Sequence, residues 1–268
     1  MPAWIFNFTF IVILVLGGTA LFFFTVTRGA LLLRSVMAGA RDPDAHVYPI
    51  YSNMRLIRLV DFQPIIAAIL LFQYDRLVAM ITAGMKQMDL QDKNVLITSC
   101  AFGNVMPLVV DAALAIGAAK VQVVDIINNE LVHAKSKLTA YPEQVEFLLQ
   151  DASRVGLPDQ SVRANVLFFL LHELPHELKG VVLQEACRVL EPGGKLFLAE
   201  FHRPDPWVLR ALSWTYFKVF EPLGLALWNT HDPLLQLQAI SGITCERRKL
   251  FFGNFQVIVA TKQANPAD

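Results

Sequence analysis

Two short stretches of this 268-residue chain gather the side chains best able to do chemistry: His172-Glu173-Leu174-Pro175-His176 and Glu200-Phe201-His202. The first satisfies the H-E-x-x-H pattern of zinc proteases literally, but that pattern works only when both histidines lie one turn apart on a continuous helix. Here the apolar run Phe168-Phe-Leu-Leu leads straight into it, and Pro175 sits where such a helix needs a free backbone N–H. Zinc proteolysis is set aside. The better placement is at the ends of two neighbouring strands, so that two imidazoles and two carboxylates converge. Three chemistries then stay open. The mixed nitrogen and oxygen donors of His172, Glu173 and His202 suit a Mn²⁺-like ion. Either histidine can instead be a metal-free general acid or base, since imidazole titrates near neutrality. The third reading is structural, with strand-end histidines satisfying backbone groups.

The elements that must position these residues begin at Asn94. Short β-rich apolar runs near 94–98, 121–125, 145–149, 165–171 and 195–201 alternate with helical patterns, the signature of a parallel sheet covered by helices on both faces. The alternation breaks at the end, where 245–252 and 256–261 flank Gly253-Asn254 and predict a closing antiparallel hairpin. The expected fold is α/β and Rossmann-like, a seven-stranded, mostly parallel sheet. Ligands of such sheets bind at the carboxyl ends of the strands, beside the topological switch point. After the first strand comes Thr98-Ser99-Cys100-Ala101-Phe102-Gly103-Asn104, a tight loop with a single glycine, and then a predicted helix over 105–115. Asp125 closes the second strand 22 residues after Gly103, the spacing at which a carboxylate accepts from both ribose hydroxyls of a nucleotide cofactor. A helix N-cap is its plainer role. Asp151, ending the third strand, either accepts from an adenine amino group or makes a turn. Arg188-Val-Leu-Glu-Pro-Gly-Gly-Lys predicts a helix end, a Pro-Gly-Gly reversal and a buried strand.

Taken in order, the loop, Asp125, Asp151, the Pro-Gly-Gly segment and the final hairpin resemble the class I S-adenosylmethionine-dependent methyltransferases over roughly residues 90–262. The resemblance implies that Ser99, Ala101, Gly103 and the loop backbone hold the methionine part of the cofactor. Asp125 and Ile126 would hold its ribose, and Asp151 and Ala152 its adenine. This chain departs from the usual Asp-x-Gly-x-Gly-x-Gly loop: Ile97 stands where the acid belongs, and Ser99 and Ala101 replace two glycines. With those departures, Phe168-Phe-Leu-Leu-His-Glu-Leu-Pro, Phe201-His-Arg-Pro and Glu221-Pro-Leu-Gly-Leu-Ala-Leu-Trp are similar to segments of the rhodoquinone-biosynthesis methyltransferase-like family. That likeness implies conversion of ubiquinone to rhodoquinone, a ring methoxy group being replaced by an amino group, with S-adenosylmethionine as nitrogen source and Mn²⁺ involved. His172, Glu173 and His202 would face the ring, with Arg203 near a polar substituent. An ordinary O- or C-methyltransferase of a membrane quinone or lipid would use the same residues. A non-catalytic membrane scaffold is the reading that the missing acid and glycines favour.

The rest of the chain suits a lipid-soluble substrate. Ala3 to Thr27 carries no charge and is long enough to cross the ~30 Å core of a bilayer as a helix. A cleaved signal peptide would need a basic start and a small-residue cleavage site, which the segment lacks. Arg28, Arg34, Arg41, Arg55 and Arg58 follow against only Asp42 and Asp44, which predicts a single-pass anchor over 1–28 with the catalytic domain in the cytoplasm. Residues 29–93 read as a helical lead-in, in which Ile65 to Phe72 is too short to span and packs on the domain or lies against lipid. The domain proper is 94–262. Its insert 206–230, rich in Trp and Phe, reads either as plain helix packing or as a lid at the membrane interface. Lys plus Arg and Asp plus Glu both total 23, so no global field points to nucleic acid. Cys100, Cys187 and Cys245 have no metal or redox spacing and read as reduced thiols.

Overall fold

The structure, a computed structural model, describes residues 54–264 together with Leu14, Gly17, Gly18 and Tyr51. Apart from those first three positions, the expected anchor over 1–28 lies outside the described residues. Among those described, no single helix is long and apolar enough to cross a membrane; two helices pass together only as a pair bent by 93°.

Among the described residues of the lead-in are three helices, α1 (Met54–Val60), α2 (Gln63–Ile69) and α3 (Tyr74–Met85). The domain follows as β1 (Asn94–Thr98), α4 (Val105–Ala115), β2 (Lys120–Asp125), α5 (Asn128–Lys137), β3 (Val145–Leu149), β4 (Val162–Phe168), α6 (His176–Arg188) and β5 (Leu190–Phe201). It ends with α7 (Trp207–Phe220), a 3₁₀ helix over Pro222–Trp228, α8 (Pro233–Gln238), β6 (Ile243–Leu250) and β7 (Phe255–Lys262). The strands pair in the order β3-β2-β1-β4-β5-β7-β6, parallel except at β7, which runs antiparallel to both β5 and β6. The expected seven-stranded sheet and closing hairpin are both present.

The inner strands are apolar on both faces because each face is covered. Val95, Ile97, Val121, Val123, Val166 and Phe197 join the core beneath α3, α4 and α5, while Leu96, Val124, Leu167, Leu196 and Leu198 join a second core with Val182, Leu183 and Leu237 of α6 and α8. Adjacent strand residues thus go to opposite layers, as the two-residue period requires. Ile65, Ile66, Ala68 and Leu70 are buried, so the 65–72 segment is mainly a packing element, although its end, Leu71-Phe72, is exposed.

Two differences from the sequence reading bear on the site. β4 stops at Phe168, and residues 171–174 form a turn, so His172 and Glu173 are carried by a turn after the strand. The Pro192-Gly193-Gly194 segment lies within the long strand β5 as an irregularity: the β4 register jumps from Val162↔Leu190 to Ala164↔Lys195. Gly193 has φ +73°, and a Cβ on Gly194 would come within 2.8 Å of the Glu191 carbonyl, so the glycines bend the strand and bring it back into the sheet.

Chain connections reverse direction between β1 and β4, which makes the gap beyond their carboxyl ends the switch point. The 99–104 loop and the 169–175 turn face each other across it.

Candidate active site

The 99–104 loop keeps the shape of a glycine loop with fewer glycines. Ser99 adopts φ +77°, the left-handed conformation that glycine would give without strain, and its hydroxyl donates to Asp125 Oδ2 at 3.3 Å. Cys100 N–H donates to the same oxygen at 2.7 Å, and Ile127 N–H to Oδ1 at 2.8 Å. Burial raises the Asp125 pKa and these bonds oppose the rise. Gly103 has φ +78°, and a Cβ there would stand 2.5 Å from Tyr74 Oη, which explains why this glycine survives. Tyr74 Oη donates to the Phe102 carbonyl at 3.1 Å and accepts from Val105 N–H at 2.7 Å, so the start of α4 is held by a lead-in side chain.

Beyond Asp125, Ile126 is 54% exposed, a large apolar side chain left uncovered at a strand end. Asp151 is exposed; its Oδ1 accepts from Ser153 N–H at 2.8 Å and closes a turn, with Ala152 half-buried beside it. Asp125 is thus buried with both oxygens engaged, whereas Ile126, beside it at the end of β2, and Asp151, just beyond β3, are exposed. Asp125 is not the N-cap of α5, which is Ile127 without a side-chain cap bond; it closes the turn that precedes it.

Across the gap, the 171–174 turn is tied down by Lys179 of α6. This fully buried lysine donates to the carbonyls of Leu171 and of Leu174, the latter at 2.7 Å, and burial lowers its pKa to about 8. His172 is buried in the cavity wall, its Nδ1 3.1 Å from the fully buried Glu200. Burial disfavours its charge, but Glu200 foremost, then Glu221 and Glu173, outweigh it and raise the pKa to about 9. Glu173 Oε1 lies 4.0 Å from His172 Nε2 and accepts from Tyr51 Oη at 2.6 Å. Burial raises the Glu173 pKa, opposed by His172 and the Tyr51 bond. Glu200, His172, Glu173 and Tyr51 thus form one chain of polar groups ending at the cavity.

That cavity is walled by Phe168, Phe169, Phe201 and Tyr216, by Val60, Ile66, Ile69 and Leu70 of the lead-in, and by loop residues 99–102. Its polar lining comes from Tyr51, His172, Glu173 and Glu221. The insert supplies Tyr216 and Glu221 to the wall, and its 3₁₀ helix packs on the turn, where a Cβ on Gly224 would meet His172 Cβ at 3.2 Å. Trp207 and Leu212 of α7 are largely exposed, so the insert both covers the cavity and presents an apolar outer side.

His202 does not join His172. Its Nδ1 donates to the Gly253 carbonyl at 2.7 Å and its Nε2 lies 3.3 Å from the Arg247 guanidinium, so both ring nitrogens are engaged on the β7 side. Burial lowers its pKa, helped by Lys249 and Arg247. The expected metal set of His172, Glu173 and His202 is therefore not assembled: one imidazole faces a fixed cation, and Tyr51 occupies a Glu173 oxygen. Among the described residues no group of three or more His, Cys, Asp or Glu has the arrangement to hold a metal ion. Arg203 is exposed and does not line the cavity. His176 begins α6 after Pro175, on a different element from His172, as the proline implied. Cys100 and Cys187 are buried free thiols, and Cys245 is a half-buried one.

Several site residues have no motif to announce them. Tyr51, Asp61, Tyr74 and Lys137 reach the loop from the lead-in and from α5, with His133 bonded to Asp61 and Glu130 buried on the same helix. The one local signal is that Asp61 is the sole acidic residue between Asp44 and Asp75.

Residues 95–194 match the family model of a methyltransferase domain. An O-methyltransferase family protein from Burkholderia thailandensis superposes with a TM-score of 0.56 over 75% of this chain and 60% of that one; at 15% identity the likeness is one of fold. Residues 95–194 are thus similar to a methyltransferase domain, in a sheet of the same fold. Among curated proteins it is similar to the demethylmenaquinone methyltransferase of Bacillus licheniformis, 28% identical over 124 residues, covering 46% of this chain and 51% of that protein. It is also similar to the ubiquinone/menaquinone biosynthesis C-methyltransferase UbiE of Chromobacterium violaceum, 32% identical over 117 residues, covering 42% and 46%. The chain spans about half the length of these curated relatives.

Proposed function

We propose that the protein is an S-adenosylmethionine-dependent transferase that modifies the ring of a lipid-soluble quinone. The observation that carries this reading is the cavity at the switch point: four aromatic walls and an aliphatic side suit a flat ring with an isoprenoid tail, and Glu173 is presented to it on a buried polar chain. When bound, S-adenosylmethionine supplies the transferred group. Asp125 and Ile126 would hold its ribose, Asp151 and Ala152 its adenine, and the 99–103 loop its methionine part. His172 is protonated at neutral pH, so it orients and balances charge. Glu173, its pKa raised by burial, is the general base: in amination it would take a proton from the incoming nitrogen as the ring loses its methoxy group as methanol, and in methyl transfer from the ring position that gains the methyl group. Tyr51 donates to Glu173 and fixes its direction.

Two ring reactions fit. Replacement of a ring methoxy group by an amino group, from ubiquinone to rhodoquinone, is the specific form we favour; the loop keeps its shape with Ile97 and Ser99 in place of the usual acid and first glycine. Methyl transfer is the second reading, supported by the names of the two quinone-biosynthesis relatives. The 1–28 segment as a membrane anchor with the domain on the cytoplasmic side, and the exposed Trp207 and Leu212 against lipid, complete the proposal for a bilayer-dissolved substrate. The test has two arms. Purified protein is titrated with S-adenosylmethionine, and absence of binding removes both reactions. Quinones are then weighed from a host that makes ubiquinone and no rhodoquinone: a methoxy-to-amino change supports the first, a gain of one CH₂ the second, and unchanged quinones refute the substrate.

A further inference from the structure

The loop lacks an acid of its own, yet a carboxylate is bonded to it. Asp61, in the turn between α1 and α2, accepts at Oδ1 from Gly103 N–H at 2.5 Å and from Lys137 Nζ at 3.0 Å, while Oδ2 lies 2.7 Å from His133 Nε2. The side chains of Asp61, His133 and Lys137 are only 11%, 10% and 15% exposed, so the group is largely shielded from water. Lys137 Nζ also reaches the Ala101 carbonyl at 3.5 Å. Gly103 precedes the start of α4, where backbone N–H groups favour an anion.

An acid there has two possible roles, and the geometry separates them. If Asp61 were a plug in the place of the cofactor, it would sit on the cavity side of the loop. Ser99, Cys100, Ala101 and Phe102 line the cavity, whereas Gly103 and Asp61 do not. Asp61 stands behind the loop, neutralised by residues of α5. We infer that Asp61 is a positioning residue that holds the cofactor loop from outside, so that the lead-in supplies the acid the loop has lost at Ile97. The inference rests on the S-adenosylmethionine reading above. It makes the lead-in part of the cofactor site, and it accounts for a loop with one glycine that still holds its shape.

The test is amide hydrogen exchange of the loop in the ligand-free full-length protein, together with S-adenosylmethionine titration, for the wild type, Asp61→Asn and Asp61→Ala. Loss of a charge-assisted bond predicts Gly103 exchange about 10- to 100-fold faster in Asp61→Ala, and less in Asp61→Asn. The dissociation constant should rise about tenfold while the thermal midpoint of Asp61→Asn stays near that of the wild type. Exchange at Gly103 within twofold of wild type in both variants overturns the inference, and so does tighter cofactor binding, the mark of a plug removed. Should Asp61→Ala not fold, Lys137→Met removes the cation and keeps the carboxyl group; exchange at Gly103 at least threefold faster is expected, and no change is refuting. If the wild type binds no S-adenosylmethionine, the cofactor reading fails, and the exchange measurement still decides whether Asp61 holds the loop.

Discussion

Replacing Glu200 by Gln removes the charge that keeps His172 protonated. The carboxamide has nearly the same shape, but Glu200 accepts from His172 N–H at Oε2 (3.2 Å) and from Phe201 N–H at Oε1 (2.7 Å), so its single oxygen keeps one of these bonds. The loss of the other bond is independent of pH, so the charge is read from the change of stability with pH. At 3.1 Å, with an effective dielectric constant of about 20, the attraction between Glu200 and the imidazolium is about 5 kcal/mol before the cost of burying both groups. The net effect of all neighbours is a pKa raised from 6.5 to about 9, which corresponds to about 3 kcal/mol. In Glu200→Gln, burial should dominate and bring His172 to 6.5 or below.

The sign of the stability effect follows. A group whose pKa is raised on folding stabilises the protein fully below its unfolded value, and that contribution fades as pH rises through the folded value. From His172 alone, wild-type stability should fall by about 3 kcal/mol between pH 6.5 and 9, and Glu200→Gln should lose that part of the slope. Heteronuclear NMR of the histidine rings reports the titration directly, and denaturant unfolding at three pH values gives the slope difference. A His172 that titrates at or below 6.5 in the wild type would refute the reasoning. So would a variant whose slope matches the wild type.

Other consequences are more local. Glu173→Gln should leave the fold and cofactor binding intact and lower kcat by about 10²- to 10⁴-fold, measured on quinone turnover. Gly103→Ala must place a methyl group 2.5 Å from Tyr74 Oη at φ +78°, so circular dichroism melts should show a loss of roughly 1–3 kcal/mol, together with weakened cofactor binding. Glu130 is buried with an unpartnered Oε1, and burial, with Asp125 next, raises its pKa to about 9. Its stabilising effect is full below pH 4.5 and lost as pH rises through about 9; Glu130→Gln should be the more stable protein at pH 9, and equal stability there would contradict the shift.

The parallel sheet was legible because strands buried on both faces are mostly apolar, as in Val95 to Ile97 or Val121 to Val124 with only Gln122 polar, and because these short runs alternate with helical patterns. Asp125 and the His172-Glu173 pair were legible because strand ends beside a switch point are few. The end of β4 was not: Phe169 to Leu171 is as apolar as the strand before it, and the turn is set by Lys179 bonding the Leu171 and Leu174 carbonyls from the next helix. His202 looked equivalent to His172 because both follow aromatic-rich strands. Its partner, Arg247, lies 45 residues along the chain, on a strand whose register a sequence cannot show. The Asp61 bonds span 42 to 76 residues and carry no motif.

Those long-range bonds bear on whether the chain is a retired scaffold. A non-glycine residue in the left-handed region costs roughly 1–2 kcal/mol, and Ser99 stays there at φ +77°. A loop without a ligand to shape could relax by turning Ser99 out of that region, and its carbonyls and N–H groups could be met by water. Instead the N–H groups of Cys100, Gly103 and Val105 are each taken by a side chain from elsewhere, namely Asp125, Asp61 and Tyr74. The glycines have gone from the sequence, but the backbone they would shape is still enforced, by residues whose burial is itself costly. Loss of motif without loss of geometry is what an altered cofactor site requires, and a scaffold gives no physical reason for it.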